Sequence, residues 1–293
     1  MVISVGNITT GGTGKTTVTR YLSEEFHKKG KRVVVISHGV GGKRKALIVS
    51  DGKNIMASAD EAGDEAYLLA KRLPEVPVLS GRFREKMAEV ACKKFGAEVI
   101  ILDDAFHALR LVRDWNILVF NCLNPLGNGH LLPAGPLREP LFNLRRANIF
   151  WLNHTDLVNK KEVDRIEKTL LNYNQKARVI RSHYRYQHFC TLSGKIIPNS
   201  HLSGKKAFVC VGIGNPEGFL KKIASYQMEI KGKVLFPDHH FYKSSEIKEL
   251  PLEEVDFLVT TEKDSVRFPK TDAADQIIYP LVEVSVEGDK SLC

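Results

Sequence analysis

The sequence has few cysteines, and their arrangement fits neither a disulfide framework nor a metal knuckle. The five cysteines of this 293-residue chain are scattered and odd in number, and none of them forms a CxxC pair. Secreted disulfide scaffolds and zinc sites need paired cysteines at short spacings. We therefore expect a protein of the reducing cytoplasm.

Long apolar runs are also missing. No window approaches the roughly 18 consecutive apolar residues of a membrane-spanning helix, and the N-terminus leads into an apolar strand pattern instead of a secretory signal. The formal net charge is +9, but no RNP, zinc-finger or helix-turn-helix pattern accompanies it, so nucleic acid is disfavoured as a partner. A solvated surface explains this charge, as does an anionic ligand such as a nucleotide or an acidic membrane.

The chain does contain a repeated alternation of short apolar strands and amphipathic helices. Continuous β-branched runs separated by helical patterns indicate a parallel sheet covered on both faces. We predict strands over residues 2–5, 33–37, 76–79, 99–102, 117–120 and 149–152, helices over 16–29, 64–73 and 86–95, and a hairpin over 47–58. Residues 1–185 are therefore predicted to form a doubly wound α/β domain of the P-loop NTPase type.

The alternation restarts after residue 185. The stretch KKAFVCVGIGNPEGFLKKI has the pattern of a strand, a glycine turn and a helix, and DFLVTTEKDSV that of a strand and a polar turn. We expect a smaller α/β lobe over residues 186–293, joined to the first domain near HYRYQHFCTLSGK. Two lobes create a cleft, where ligands commonly bind.

The stretch NITTGGTGKTT, which begins at Asn7, predicts a phosphate-binding loop. It lies between a predicted strand and a predicted helix, where glycine N–H groups and the helix N-terminus can surround a polyphosphate. Lys15 would reach the outer phosphates, and the Thr16 hydroxyl would bind Mg²⁺. The predicted nucleotide-binding residues are Thr9, Thr10, Gly11, Gly12, Thr13, Gly14, Lys15, Thr16 and Thr17.

A second nucleotide element is the stretch VIILDD, an apolar strand that ends in Asp103 and Asp104. A carboxylate at the C-terminal edge of such a strand positions Mg²⁺, and both elements meet at the same edge of the sheet. The sequence leaves open which aspartate contacts the metal. The loop form xGGxGKT also occurs in deviant-loop partition ATPases, but those carry a lysine where this chain has Thr10. A nucleotide-switched ATPase is therefore a disfavoured alternative.

Five further motifs resemble those of one family. They are AGDEA (62–66), LDDAFHALRLVRD (102–114), NGHLLPAGPLREP (128–140), FPDHHFY (236–242) and TTEKDSV (260–266). In order and spacing they are similar to the tetraacyldisaccharide 4'-kinases, over nearly the whole chain. The resemblance implies ATP- and Mg²⁺-dependent phosphorylation of the 4'-hydroxyl of tetraacyldisaccharide 1-phosphate in lipid A biosynthesis. It also implies peripheral contact with the anionic inner membrane on its cytoplasmic face, and no obligate protein partner is evident.

The resemblance further implies roles for single residues. Asp64 would accept the proton of the sugar hydroxyl, His239 would orient or tune Asp64 across the cleft, and Arg138 would neutralise charge on the transferring phosphoryl group. A helix N-cap is the alternative for Asp64, and His240 is the alternative to His239. The implied metal-side residues are Thr16, Asp103, Asp104 and Glu139, and the implied acceptor-binding residues are Asn7, His107 and Arg110.

The chain also departs from the family pattern. Members usually begin with an additional apolar segment that docks into the membrane, whereas this chain starts at its first strand. The family stretch SRGYGG is here SHGVGG, with His38 and Val40 at the changed positions, and DDGFQH is here DDAFHA, with His107 and Ala108. A kinase with a modified acceptor pocket, a kinase for another lipid sugar and a catalytically silent nucleotide-binding homologue are the alternatives. The retained carboxylates favour an active enzyme.

The stretch NHTD (153–156) is similar to the guanine-reading motif NKxD, because it too follows a predicted strand. His154 stands where that motif has its lysine. A guanine site is therefore disfavoured.

Overall fold

The structure is a computed structural model that describes residues 1–39, 42–43 and 46–288, so Val40 lies outside the described residues. The chain divides into two compact units. The first contains Met1–Tyr184 and the end of the chain from Val284, and the second contains Arg185–Glu283. The sequence analysis assigns residues 186–293 to the second lobe, whereas in the structure the chain end from Val284 belongs to the first unit.

The first unit is built on a mainly parallel sheet, as the sequence predicts. Its strands are β1 (Val2–Gly6), β2 (Val33–Ser37), β3 (Ala46–Ser50), β4 (Val78–Gly81), β5 (Val99–Asp103), β6 (Trp115–Asn121), β7 (Ile149–Asn153) and the first half of β8 (Arg178–Thr191). The spatial order is β8-β7-β6-β1-β5-β2-β4-β3. Every described pair is parallel except β3–β4, which is antiparallel at the edge of the sheet. The central strand β1 therefore ends between β5 and β6.

Helices cover both faces of this sheet. The helices of the first unit are α1 (Lys15–Lys28), α2 (Ala59–Ala62), α3 (Asp64–Arg72), α4 (Arg84–Phe95) and α5 (Lys160–Leu171). Along β2, Val33 and Val35 pack in the core with α1 and α3, whereas Val34 and Ile36 pack in the core with α4. Alternate residues thus enter opposite cores, which explains why the strands are apolar throughout.

The predicted hairpin over residues 47–58 forms only in part. The Asp51 carboxylate accepts the backbone N–H groups of Lys53 and Asn54, at 2.9 and 2.7 Å, and makes the turn. Beyond it a single bridge joins Ser50 and Ile55. The second arm ends there because Ser58 caps α2: its hydroxyl accepts the N–H of the third helical residue, and that residue's carboxylate accepts the Ser58 N–H.

The second unit is a smaller α/β unit. Its strand β10 (Lys206–Val211) pairs in parallel with β11 (Glu229–Leu235) and β12 (Phe257–Val259), and β12 pairs in parallel with β13 (Ile277–Val286). The remaining elements are β9 (Ile196–Ile197), α6 (Pro216–Ala224), α7 (Ser244–Lys248) and α8 (Glu262–Ser265). Within the stretch HYRYQHFCTLSGK (183–195), β8 continues to Thr191, and the division between the two units falls after Tyr184.

Membrane-spanning helices are not found in the part of the chain that the structure describes. No helix there has the length and apolar content needed to cross a bilayer.

Candidate active site

The predicted phosphate loop leads into α1 at Gly14. This glycine is the N-cap of α1 and has φ +89°, in the left-handed region that favours glycine. A Cβ atom here would lie 1.8 Å from the Tyr184 hydroxyl oxygen and 2.6 Å from Asn153 Nδ2. No side chain fits this position. Lys15 and Thr16 follow as the first residues of the helix, where free backbone N–H groups favour an anion.

A second segment of chain runs alongside this loop. The Thr10 N–H donates to the Pro136 carbonyl and the Arg138 N–H donates to the Ile8 carbonyl, both at 2.7 Å. These backbone bonds hold the predicted LLPAGPLREP motif against the loop. They bring the Arg138 guanidinium to Asp104, at 3.2 and 3.3 Å, and also to the side-chain oxygen of Asn7.

Asp103, the last residue of β5, lies almost completely buried beside α1. Its two carboxylate oxygens accept hydrogen bonds from the hydroxyls of Thr16, at 3.2 Å, and Thr19, at 2.9 Å. Burial, together with the negative charges of Glu65 and Asp104, raises the pKa of Asp103 to about 7, against the opposing effect of Lys15. The site thus contains a carboxylate without enough positive charge around it.

The next residue, Asp104, has the opposite electrostatic surroundings. It has a left-handed backbone conformation, with φ 47°, and its carboxylate lies 3.7 Å from Lys15 Nζ and within bonding distance of Arg138. Burial alone would raise the pKa of Asp104, but Lys15 and Arg138 outweigh it and lower the pKa below the ordinary value. Asp104 is therefore ionised in this arrangement.

Arg84 binds the backbone of both aspartates and is not among the predicted site residues. Its guanidinium donates to the backbone carbonyls of Asp103 and Asp104, at 3.1 and 2.9 Å. It also lies 2.9 Å from His38 Nδ1, which must be the acceptor because an arginine N–H can only donate. Burial and the neighbouring Arg84 lower the pKa of His38, which keeps this histidine neutral.

Glu139 connects the segment that carries His107 with the 3₁₀ helix Leu141–Arg146. Its carboxylate contacts His107 Nδ1 and the Arg146 guanidinium, and it accepts a 2.8 Å hydrogen bond from Asn143. Within the described ranges, no group of three or more His, Cys, Asp or Glu side chains has the arrangement of a metal site. The structure therefore brings Glu139 to His107 and Arg146 and does not group it with Asp103 and Asp104.

Two of the predicted acceptor-binding residues have buried polar atoms without a partner among the described residues. They are Asn7 Nδ2, in a residue that is 1 % exposed, and His107 Nε2. Buried polar groups are nearly always hydrogen-bonded, so such atoms indicate a place for a ligand group. Arg110, the third predicted residue, is exposed on the segment that follows His107.

Asp64 is buried at the beginning of α3. It is the first helical residue, Gly63 is the N-cap, and Asp64 Oδ1 accepts the N–H of Glu65 at 2.9 Å. The preceding backbone is packed closely: a Cβ on Gly42 would lie 2.7 Å from the Glu61 carbonyl oxygen. Because Gly63 is the N-cap, the N-cap alternative for Asp64 is wrong. The next residue, Glu65, is one of the two carboxylates whose charge raises the pKa of Asp103.

His239 lies in the second unit, with a left-handed backbone conformation of φ 63°. Its Nε2 atom lies 3.4 Å from Lys263 Nζ and 3.9 Å from the Asp238 carboxylate. The alternative, His240, has its Nε2 atom 2.9 Å from Glu246 and its ring stacked on Phe236. The two adjacent histidines therefore have different neighbours: Lys263 and Asp238 for His239, and Glu246 and Phe236 for His240.

Asn153 and Tyr184 support the phosphate loop, and sequence analysis missed both. Asn153 Nδ2 donates to the Thr13 carbonyl at 2.8 Å and lies 3.1 Å from the Tyr184 hydroxyl, which also bonds to Thr17. Burial raises the pKa of Tyr184 to about 12, so the hydroxyl stays protonated. The available signal was an asparagine at the end of a predicted strand in NHTD, a motif that had been considered only for guanine binding.

The fold and the site together define a class of protein. A glycine loop joins the first strand to a helix, a neighbouring parallel strand ends in two aspartates at the same edge, and a lysine and an arginine converge on one of them. This is the arrangement of a P-loop protein that binds a nucleoside triphosphate and transfers its phosphoryl group.

Comparison with known proteins identifies the family. Residues 1–292 match the family model described as LpxK, tetraacyldisaccharide-1-P 4'-kinase. The tetraacyldisaccharide 4'-kinase of Halothermothrix orenii is 37% identical, with 99% of this chain and 82% of the relative covered. That of Syntrophus aciditrophicus is 39% identical, with 99% and 81% covered. The crystal structure of LpxK from Aquifex aeolicus in complex with ATP is 31% identical, with a TM-score of 0.74 and 98% and 84% covered. The chain belongs to the tetraacyldisaccharide 4'-kinase family.

Proposed function

We propose that this protein is a kinase that transfers the γ-phosphoryl group of ATP to the 4'-hydroxyl of tetraacyldisaccharide 1-phosphate, a step of lipid A biosynthesis. One observation carries the proposal: the chain of contacts from Lys15 through Asp104 and Arg138 to Asn7. It joins the lysine of the phosphate loop to a buried amide donor that has no partner among the described residues. The names of the relatives supply the acceptor and the reaction.

The phosphate loop would hold the triphosphate. Residues 9–17 offer backbone N–H groups and hydroxyls, and Lys15 offers a charge for the outer phosphates. Lys15 and Arg138 both pair with Asp104. A bound triphosphate would compete for these two cations, and their charge would then oppose the negative charge that spreads over the phosphoryl oxygens in the transition state.

Thr16, Asp103 and Asp104 fit a magnesium ion. Hydroxyl and carboxylate oxygens are the ligands that Mg²⁺ prefers, and the raised pKa of Asp103 reports a buried carboxylate whose negative charge Lys15 only partly offsets. When bound, Mg²⁺ would supply positive charge that offsets the negative charge of the phosphates. Glu139, the fourth predicted metal-side residue, already contacts His107, Asn143 and Arg146, which favours a role in orienting His107.

Asp64 would accept the proton of the attacking hydroxyl, and His239 would orient or tune it. The buried position of Asp64 at a helix start supports a single fixed orientation of the carboxylate. On the acceptor side, Asn7 Nδ2 and His107 Nε2 would each gain a partner from a sugar or phosphate oxygen, and Arg110 would offer a charge to an acceptor phosphate. Because the acceptor is a membrane lipid, the protein would work as a peripheral protein on the cytoplasmic face of the inner membrane.

The test is phosphoryl transfer from labelled ATP to tetraacyldisaccharide 1-phosphate dispersed in detergent, with Mg²⁺. We expect labelled lipid from the native protein and none from Asp64→Asn, whose affinity for ATP should stay nearly unchanged. Asp60→Asn is the matched control, because Asp60 is an exposed carboxylate four residues earlier that pairs with Lys43. ATP hydrolysis without labelled lipid would indicate the nucleotide-switched alternative, and ATP binding without any turnover would indicate the silent homologue.

A further inference from the structure

Five large apolar side chains are exposed on the acceptor side of the site. Their exposed fractions range from 44 % for Leu131 to 87 % for Val112, with Leu132, Phe142 and Leu109 between them. Burying apolar area contributes roughly 25 cal/mol for each Å² removed from water. Single exposed apolar residues are ordinary, but a group on neighbouring segments marks a site of contact.

Contacts around Glu139 connect the segments that carry these residues. Residues 105–113 reach Glu139 through His107, and the 3₁₀ helix Leu141–Arg146 reaches it through Arg146. Leu131 and Leu132 are held beside the same place, since the Leu132 N–H donates to the Leu137 carbonyl at 2.9 Å. The apolar side chains therefore lie on segments of the first unit that meet near Glu139.

The same segments are strongly basic. Residues 105–113 and 122–146 together contain five arginines and a single acidic residue, Glu139. The Glu139 carboxylate pairs with His107 and Arg146 and is largely buried, so it adds little negative charge to the surface. Arg110 and Arg145 are exposed, and the Arg145 guanidinium lies 5.0 Å from the centre of the Phe142 ring. Outward-facing charge here is positive and lies next to apolar groups.

We propose that Leu109, Val112, Leu131, Leu132 and Phe142, with Arg110 and Arg145, form a docking surface for an anionic lipid bilayer. The apolar side chains would enter the boundary between headgroups and acyl chains, and the arginines would contact anionic headgroups. This inference rests on the proposed function, because it identifies the surface through which the lipid acceptor reaches Asn7 and His107. The excess of arginine over acidic residues favours a lipid surface over a second copy of this equally basic chain.

Vesicle binding tests the surface directly. The native protein and the double variant Leu109→Ser/Val112→Ser are sedimented with vesicles of phosphatidylcholine alone and of phosphatidylcholine with one quarter phosphatidylglycerol. The matched control is Ile196→Ser/Leu235→Ser, which removes two apolar side chains of 63 % and 48 % exposure from the second unit. We expect the double variant to lower the partition onto anionic vesicles by about tenfold, and the control to change it less than about twofold.

Two further measurements distinguish the electrostatic part of membrane binding from its apolar part, and membrane binding from the catalytic step. Arg145→Gln should weaken binding to anionic vesicles at low salt and change little at about 0.5 M salt, where charges are screened within a few ångströms. With acceptor dispersed in detergent, the double variant should keep the native kcat, whereas with acceptor in vesicles its apparent KM should rise by about tenfold.

Three outcomes would overturn the docking surface. They are equal loss of vesicle binding in the double variant and its control, native-like binding by the double variant, and a change in oligomeric state without a change in vesicle binding. Inactivity of the native protein on detergent-dispersed acceptor would refute the proposed function instead, and the vesicle comparison would still decide this surface.

Discussion

Two buried aspartates, one in each unit, have opposite surroundings. Asp264 in the second unit pairs with Arg267 at 3.1 Å and accepts the Gly212 N–H, the Tyr242 hydroxyl and the Thr261 hydroxyl. Asp103 in the first unit accepts only two threonine hydroxyls in its described hydrogen bonds, and two further carboxylates raise its pKa. A carboxylate that stabilises the fold is compensated in place. The carboxylate of Asp103 is not compensated in this way, because burial and two neighbouring carboxylates raise its pKa.

Replacement of Asp103 by asparagine should have the largest effect on activity. The variant keeps the shape of the side chain but removes the negative charge next to the phosphate loop, so kcat/KM should fall by about a thousandfold. The fold should not suffer, because the replaced carboxylate is poorly compensated. Steady-state kinetics with Mg²⁺–ATP and thermal unfolding without metal measure the two effects.

A loss of activity that accompanied an equal loss of stability would contradict this interpretation of Asp103. Asp114→Asn is a suitable control, because that carboxylate accepts the backbone N–H of Val2 far from the phosphate loop.

Replacement of Asp264 by asparagine should mainly reduce stability. It leaves the Arg267 guanidinium buried without its ion pair, which costs about 3–5 kcal/mol. Both tryptophans, Trp115 and Trp151, lie in the first unit. Urea unfolding followed by circular dichroism should therefore show an early transition that tryptophan fluorescence does not show.

The control for Asp264 is Asp256→Asn, in the same unit. Asp256 pairs with Lys205 at the surface, at 3.1 Å, and its loss should cost less than about 1 kcal/mol. Equal destabilisation by the two replacements would mean that the buried Asp264–Arg267 pair contributes no more to the free energy of unfolding than the surface pair.

The pH dependence of stability provides a smaller and more specific test of Asp103. The unfolded side chain loses its proton near its ordinary pKa of 3.8, whereas the folded one keeps it to about 7. Between these values the folded state binds more protons, so the metal-free protein should lose stability as pH rises, by at most about 1.4 kcal/mol per pH unit. The difference between native protein and Asp103→Asn, measured with a chelator from pH 5 to 8, isolates this contribution. A difference that is flat from pH 5 to 7 would contradict the raised pKa.

The parts of the fold that local sequence determines could be predicted. The strands were recognisable because alternate residues enter two apolar cores, and the phosphate loop because glycines must precede Lys15 at a fixed spacing. The hairpin was less predictable, because the capping of α2 by Ser58 ends its second strand early. The pairing of β8 with β7 was also difficult to predict, because paired residues such as Ile149 and Arg178 lie far apart in the chain.

The supporting residues of the site could not be predicted from the same patterns. Arg84 acts on the backbone of β5, and Asn153 acts on a carbonyl 140 residues away in the chain. Such contacts leave no local periodicity, because each one depends on which strand ends meet at the sheet edge. The NHTD motif is an example, because its sequence does not show that Asn153 contacts the phosphate loop.

Tyr184→Phe should have the smallest effect and should act on nucleotide binding. The change removes a hydroxyl that bonds to Asn153 and Thr17 beside Gly14, and a single hydrogen bond contributes about 0.5–1.5 kcal/mol. KM for ATP should therefore rise by about two- to tenfold while kcat changes little. Tyr173→Phe is the control, because Tyr173 is an exposed tyrosine of the same unit. A fall in kcat at unchanged KM would instead mean that Tyr184 acts on the transferring group. Unchanged kinetics would mean that the loop keeps its shape without this support, so that Gly14 and the helix N-terminus alone determine how the triphosphate binds.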